Sequence, residues 1–597
     1  MAGSAFARKQ RQLTIPFVVG ALALYTALFI LPSAYSVYAS LTDWNGIDPP
    51  RWVGLRNYAM LAEDPVFRQA VVNTAWITLG VGSVLFVLSF VVILVMRELR
   101  FVRFVRGALF LPHLVSTIVL AIFWAALFRY DGLLNSLLGA LHVGPVTWMG
   151  PDSAFWLVLL GLVWIHLGYY VTILMAGVDA IPRHFYEAAF LDGAGPWQRF
   201  RHVTLPLAWD VVGVAAILWT ISSVKIFEFI LAFSGGRAPC PPSPSGTRPC
   251  SSTARRWAAP PRRSSSATRP QAPSSRSRSS PSSSSCCAVR CGASPSSSEQ
   301  GASMRFARPA PRARRVSPTA QLDGGPLHGV VAVLVWLTVL FSVGALAFVV
   351  LSAFKSSAAI VANPWSLPDG LHLENWRTAW VDGNLGHGFR NSALLVATVA
   401  VATVVVAAPA AYVLSRRSGW AINATVVYFV LGLGIPMQVI VLPLYALMLR
   451  LGLISSLSGL FVMYVVVNLP FTVFLLTGFF GSLPSELEDA AALDGLSPNR
   501  TFWSIMLPLA RGGLTTAMLL TGINVWNETF LALMFIQTND KYTLPLSILN
   551  YYQQQQYSGS DYGALFAAAS ISILPMIVLY AWCGRRLTIG ITSGALK

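Results

Sequence analysis

Residues 187–206 read EAAFLDGAGPWQRFRHVTLP, and residues 489–508 read DAAALDGLSPNRTFWSIMLP. At a constant offset of 302 positions, Ala188 meets Ala490, Ala189 meets Ala491, and Leu191-Asp192-Gly193 meets Leu493-Asp494-Gly495. Phe200 meets Phe502, and Leu205-Pro206 meets Leu507-Pro508. Only the first acid differs, Glu187 against Asp489. A match of this kind between segments of ordinary complexity marks a duplication, so the chain reads as two homologous halves.

The rest of the composition says where those halves sit. Hydrophobic residues make up 55% of the 597, charged residues 11%, and mean hydropathy is +0.60. Soluble domains carry about 25% charged residues. Apolar runs long enough to cross a ~30 Å hydrocarbon core fall at 15–38, 71–96, 105–128, 154–178 and 207–233, then at 328–354, 391–415, 421–449, 457–480, 510–535 and 564–583. Backbone groups in lipid must be satisfied within their own segment, so each run is expected to be helical. The expected fold is an all-α, polytopic transmembrane helical bundle. Its first half, 1–236, holds five spans with a sixth lost, and its second, 321–597, holds six. MAGSAFARKQRQ leads straight into a full-length apolar run, which reads as an uncleaved anchor.

Between the halves the composition changes abruptly. Residues 236–320 hold fifteen Arg, no Lys and one acid, Glu299, and so supply +14 of the net +18. Five of the six cysteines lie there, amid Ser and Pro. Three readings stay open for 237–320. It can be a disordered linker, an Arg/Ser tail for RNA or anionic lipid, or, from about 237 to 303, translation in a shifted frame. The third follows from topology. Five spans before the segment would start the second half on the wrong side, whereas a sixth would restore it. That reading also makes the fused chain non-functional as an alternative. Cys287 and Cys291 lack His partners, so neither a disulfide framework nor a metal site is expected.

Basic residues mark the cytoplasmic side. Arg8, Lys9 and Arg11 precede the first span, RELRFVRFVR (97–106) separates the second and third, and Arg585 and Arg586 follow the last. Both repeated stretches then face the cytoplasm. Their local chemistry predicts a bracket. Pro182 and Pro484 suit the first turn of a short helix, paired alanines leave a face with little bulk, and Gly193 and Gly495 stop the helix at positive φ. A second short helix follows, and Leu-Pro opens the next span.

EAAFLDGAGPWQRFRHVTLP resembles the EAA loop of binding-protein-dependent ABC importer permeases, in the maltose and glycerol-phosphate branch. The first half is similar to one permease of such a pair through LTDWNG (41–46), VGLRNY (53–58) and FSGG (233–236). The second is similar to its partner through VWNETFLAL (525–533) and GITSGALK (590–597). The resemblance implies a carbohydrate permease in a bacterial inner membrane, supplied by an external solute-binding protein and driven by a cytoplasmic ATPase dimer. Glu187, Ala188, Ala189, Asp192 and Gly193 would form one ATPase-coupling helix, and Asp489, Ala490, Ala491, Asp494 and Gly495 the other. Glu488 would compensate for the shorter acid at 489.

The chain's five lysines, 9, 225, 355, 541 and 597, include none in a G-x-x-x-x-G-K-[ST] phosphate loop. ATP-Mg is therefore expected on a separate subunit, and the chain itself is read as neither an enzyme nor a nucleic-acid binder. Substrate-path candidates are ionisable or polar groups within spans. Lys225 and Glu228 stand one helical turn apart and can pair. Trp526, Asn527 and Glu528 form a polar-aromatic patch, and Gln438 follows a broken-helix signal, GLGIPMQ (432–438). The competing reading of each is a polar clamp between helices. His113 and His166 read as packing groups. A secondary transporter with duplicated halves is the alternative function, but it leaves the two matched brackets unexplained.

Overall fold

A computed structural model of the chain describes residues 16–44, 49–96, 101–150, 153–234, 326–558 and 561–595. The Arg/Ser/Pro-rich segment, with the frame-shift reading attached to it, lies outside these described residues. Among them the regular structure is helical, apart from one isolated antiparallel bridge between Thr42 and Trp52. Eight helices among the described residues are long and apolar enough to cross a membrane, and ten if each of two bent pairs counts as one crossing.

The first half runs α1 (Pro16–Ser40), α2 (Arg56–Glu63), α3 (Pro65–Met96), α4 (Val102–Leu114), α5 (Thr117–Phe128), α6 (Leu133–Ala140) and α7 (Ala154–Asp179). Next come the bracket helix α8 (Arg183–Leu191), α9 (Trp209–Val224) and α10 (Glu228–Phe233). The second half runs α11 (Pro326–Ser352), α12 (Glu374–Val381), α13 (Leu385–Arg416), α14 (Trp420–Gly434), α15 (Met437–Arg450) and α16 (Leu457–Gly481). It ends with the bracket helix α17 (Glu486–Leu493), α18 (Arg511–Asn527), α19 (Phe530–Phe535), α20 (Leu544–Ser558) and α21 (Tyr562–Ala595).

Three expected spans are interrupted where no break was foreseen. The run 207–233 is α9 and α10, parted between Val224 and Glu228. The run 105–128 is α4 and α5, parted at Val115 and Ser116 in extended backbone. Pro112 precedes the break and has no amide hydrogen to give the turn before it. The run 510–535 is α18 and α19, parted at Glu528 and Thr529. The expected break at GLGIPMQ is present, and α14 and α15 meet at 98°.

Helix boundaries expose the duplication in full. Through the broken helix, equivalent positions lie 320 apart: α3 and α13 start at 65 and 385, and α5 and α15 at 117 and 437. From the next span onward they lie 302 apart, with α7 and α16 ending at 179 and 481. The difference, 18 residues, is extra chain between α5 and α7, and it contains α6.

The halves exchange their first helices. α1 packs on the second half, where Thr26 Oγ1 meets the Tyr428 hydroxyl at 2.9 Å and Tyr25 stacks on Phe429 at 5.1 Å. α11 packs on the first half, where the Trp164 indole donates to Ser342 Oγ at 3.0 Å. Trp124 stacks on Trp164 at 5.3 Å, and Phe341 meets Trp164 edge-on at 5.2 Å. Such pairs contribute about 0.5–1.5 kcal/mol each beyond buried area. In lipid, where apolar burial alone drives little association, close packing of this kind holds helices together.

Four crossings lead from Pro16 to Asp179, so the first bracket lies at the end where α1 starts. The second lies there too, because Phe17 at the start of α1 touches Phe502 at 5.7 Å. This is the bracket end of the bundle, and the opposite one is the far end.

Candidate functional site: two brackets and the seam between the halves

Each bracket is built alike. α8 closes with the Ala194 amide donating to Ala189 O at 2.9 Å and the Gly193 amide to Phe190 O at 3.0 Å. α17 closes with Leu496 to Ala491 O at 3.0 Å and Gly495 to Ala492 O at 3.1 Å. This paired closure needs a left-handed residue, and Gly193 and Gly495 supply it at φ +74° and +76°. Each second arm holds one π-helical turn, Phe200–Thr204 and Phe502–Met506, before the Leu-Pro step into the next span. The first arm meets α9 at 71°.

Glu187, Ala188, Asp192 and Gly193 are exposed and Ala189 is half-buried. Asp489, Ala490, Asp494 and Gly495 are exposed, and Ala491 is buried. At the tips Leu191 is 85% and Leu493 90% exposed, so each bracket ends in an apolar side chain with nothing packed on it. Two expectations need correction. Pro182 stands one residue before α8, and Ser485 rather than Pro484 precedes α17, so neither proline enters the first turn. Glu488 does not stand in for the acid at 489. It turns inward and pairs with Arg416 at 2.6 Å.

At the seam, the predicted Lys225–Glu228 pair is not made. Helix α9 ends at Val224 and α10 begins at Glu228, so the two do not share a helical turn. Instead each reaches across to the other half. Lys225 Nζ donates to Leu433 O at 3.2 Å, at the end of α14. Its counterpart Asn527 donates to Leu114 O at 3.1 Å, at the end of α4. The two breaks are thus each clasped by the opposite half. Glu228 accepts from the Phe530 amide at 3.2 Å.

The residues 526–528 point three ways rather than forming one patch. The Trp526 indole donates to Ser572 O at 3.3 Å inside the second half. Glu528 accepts from the Tyr464 hydroxyl at 2.6 Å and from the Leu531 amide at 2.6 Å. Gln438 donates to Lys225 O at 3.4 Å. The buried Gln438 Oε1 and Asn527 Oδ1 have no protein donor. His113 stacks on Tyr169 at 4.4 Å, and His166 meets Trp219 edge-on at 5.5 Å.

Sequence reasoning missed a polar stripe on α16. Tyr464, Asn468 and Thr472 recur every fourth residue, and Asn468 and Thr472 reach Asn524 and Thr521 of α18 at 3.5 and 3.4 Å. The helical spacing of these residues in an apolar span was the available signal. It also missed a matched pair of asparagines at the far end. Asn57 donates to Ser40 O and Thr42 O, both at 2.9 Å, and Asn375 to Ala353 O and Lys355 O at 3.0 and 2.8 Å. Each clamps the exit of its half's first helix, and the cue is the recurrence of LRNY (55–58) as LENW (373–376).

Comparison with known proteins agrees with this architecture. The family described as binding-protein-dependent transport system inner membrane component matches twice, at 58–236 and 404–588. The Diacetylchitobiose uptake system permease protein NgcG of Streptomyces coelicolor is 34% identical over 252 residues, 42% of this chain and 82% of that protein. The Trehalose/maltose transport system permease protein MalF of Thermococcus litoralis is 34% identical over 234 residues, 38% of this chain and 79% of that protein. The crystal structure of a bacterial ABC transporter involved in the import of alginate matches 43% of this chain and 95% of its own, at 21% identity and TM-score 0.38. The chain therefore belongs to the family of binding-protein-dependent transport system inner membrane components, as two fused permease halves of the carbohydrate ABC importer type.

Proposed function

We propose that this chain is the membrane-spanning component of an ATP-driven importer for a sugar-like solute. The observation that carries this reading is the pair of matched brackets at one end of the bundle. Each presents small residues, an acid and a bare leucine tip, Leu191 or Leu493, to whatever lies outside. These suit two grooves on a dimer of cytoplasmic ATPases, which would carry the ATP and Mg that this chain has no loop to hold. Closure of that dimer would pull the brackets and, through the Leu-Pro steps, turn α9 and α18.

The solute would arrive from an external binding protein and pass along the seam. Gln438 and Asn527 offer buried acceptor oxygens there, suited to hydroxyl donors. Lys225, Glu228 and Glu528 would line the same passage, with Trp526 behind it.

The test is co-purification with the ATPase subunit from a host expressing the whole system. Ala188→Trp and Ala490→Trp, alone and together, are expected to abolish both ATPase recovery and solute uptake. Uptake that persists on an ion gradient without an ATPase partner would replace this reading with that of a secondary transporter.

A further inference from the structure

Arg416 is the last residue of α13, and it holds two separate pieces of the second bracket. Its Nε donates to Glu488 Oε1 at 2.6 Å and its Nη2 to Leu483 O at 2.9 Å. Leu483 lies at the exit of α16, and Glu488 in the first turn of α17. Tyr412, one turn back on α13, lies beside the same carboxylate. The side chains of Arg416 and Glu488 are only 16% and 20% exposed, so water screens the pair far less than an exposed ion pair. Two bonds converge on one bracket from one helix end.

The other end of that helix is fastened as firmly. Asn391 Nδ2 donates to Asp540 O and Tyr542 O at 2.9 and 3.0 Å, and the Leu544 amide donates to Ser392 Oγ at 2.8 Å. Helix α13 has 32 residues, and at 1.5 Å per residue it is a rod of about 48 Å. It connects the second bracket to the far-end segment 538–544. In the first half, Met96 occupies the position of Arg416, and Tyr186 that of Glu488. The same ion pair cannot form at those positions.

We infer that Arg416 and Glu488 form a strut that passes displacement of the second bracket into α13, and so to the far end of the bundle. The inference rests on reading the brackets as ATPase seats. Arg416 is a positioning residue on this view: it touches neither solute nor ATPase but fixes the bracket to the rod.

The test uses the full chain in proteoliposomes, with its native cysteines replaced by serine. Spin labels are placed at Leu493→Cys on the bracket tip and Val405→Cys on the exposed side of α13. The distance distribution between them is expected to be narrow, and to broaden about twofold in Arg416→Met and in Glu488→Gln. The reversed pair Arg416→Glu with Glu488→Arg should narrow it again. In the assembled importer, Arg416→Met should retain ATPase binding while solute moved per ATP falls about threefold or more. An unchanged distribution in both single variants overturns the strut, as does unchanged coupling. Ala490→Trp run in parallel separates the failures. If it leaves ATPase binding intact, the bracket reading itself has failed.

Discussion

The Glu228 carboxylate accepts a hydrogen bond from the amide of Phe530, and these two residues are each other's counterparts, 302 positions apart. A contact between equivalent positions lies on the axis that exchanges the halves. Phe227 and Phe530 meet edge-on beside it at 5.7 Å. Glu528, by contrast, caps α19 of its own half and moves with it. Separating the halves at this level must break the Glu228 bond and need not disturb those of Glu528. A hydrogen bond of this kind contributes about 1–3 kcal/mol, or about fivefold and upward in an equilibrium. Glu228→Ala should therefore lower the rate of disulfide trapping between Phe227→Cys and Phe530→Cys about fivefold or more. Glu228→Gln, which keeps an acceptor, should fall between. An unchanged trapping rate in Glu228→Ala would refute an inter-half latch.

The paired asparagines predict a graded loss of stability. Removing either amide leaves two carbonyls without their donor, at about 1–3 kcal/mol for a buried group. Asn375 is 6% exposed, whereas Asn57 is only half-buried. Asn375→Ala should thus depress the unfolding temperature in detergent more than Asn57→Ala, as followed by tryptophan fluorescence. Equal shifts would mean that burial at the far end does not set the cost.

Bracket closure and helix crossing make opposite demands on glycine. A Cβ at Gly193 or Gly495 would touch nothing, so Gly→Ala there costs only the left-handed backbone, about 1–2 kcal/mol. Hydrogen exchange should quicken in that bracket and nowhere else. At Gly168 a Cβ would fall 1.9 Å from Leu109 O, where α7 crosses α4 backbone to backbone. Gly168→Ala must push the two helices apart, and it is expected to reduce the yield of folded protein severalfold on size exclusion. Normal yield and stability at Gly168→Ala would contradict the crossing.

The far-end loop 369–374 carries a pH response. The hydrogen bond to Glu374, with Asp369 also close, holds the His372 imidazolium above its ordinary 6.5. The same bond holds Glu374 below its ordinary 4.5. A raised histidine stabilises the fold below 6.5, and that contribution is lost as pH rises through its higher value. A lowered carboxylate stabilises above 4.5, and that contribution is lost as pH falls through its lower value. Amide exchange in 369–375, corrected for its intrinsic pH dependence, should be slowest between these limits. His372→Gln should flatten the profile, and a profile unaffected by that change would show the pair to be idle.

The brackets were legible because their grammar is local. Paired alanines, a glycine at the closure and Leu-Pro before a span specify short-range geometry, and the repetition removed coincidence. The break at Pro436 was legible for the same reason. Lys225 and Glu228 misled because spacing alone implies a pair only if the helix continues, and Ile226 and Phe227 lie outside it. The clasps of Lys225 on Leu433 and Asn527 on Leu114 could not be read at all. They join a side chain to a backbone carbonyl about 200 and 400 residues away, and a carbonyl leaves no mark in a sequence. A register other than 302 was visible in LRNY and LENW, which lie 318 positions apart, yet alignment on the brackets alone passed over it.

The 18 additional residues between α5 and α7 fall at the far end, and on one half only. There Asn135 gathers Tyr130 O, the Val146 backbone and the Trp148 indole into a knot, and the Trp365 indole of the other half donates to Leu133 O at 3.3 Å. A two-fold fold offers a visitor two equal ways round. This extra corner abolishes the equality, since one half carries it and the other does not. The far end therefore has a compass bearing. Any molecule that docked there would meet two unlike halves and so one preferred way round.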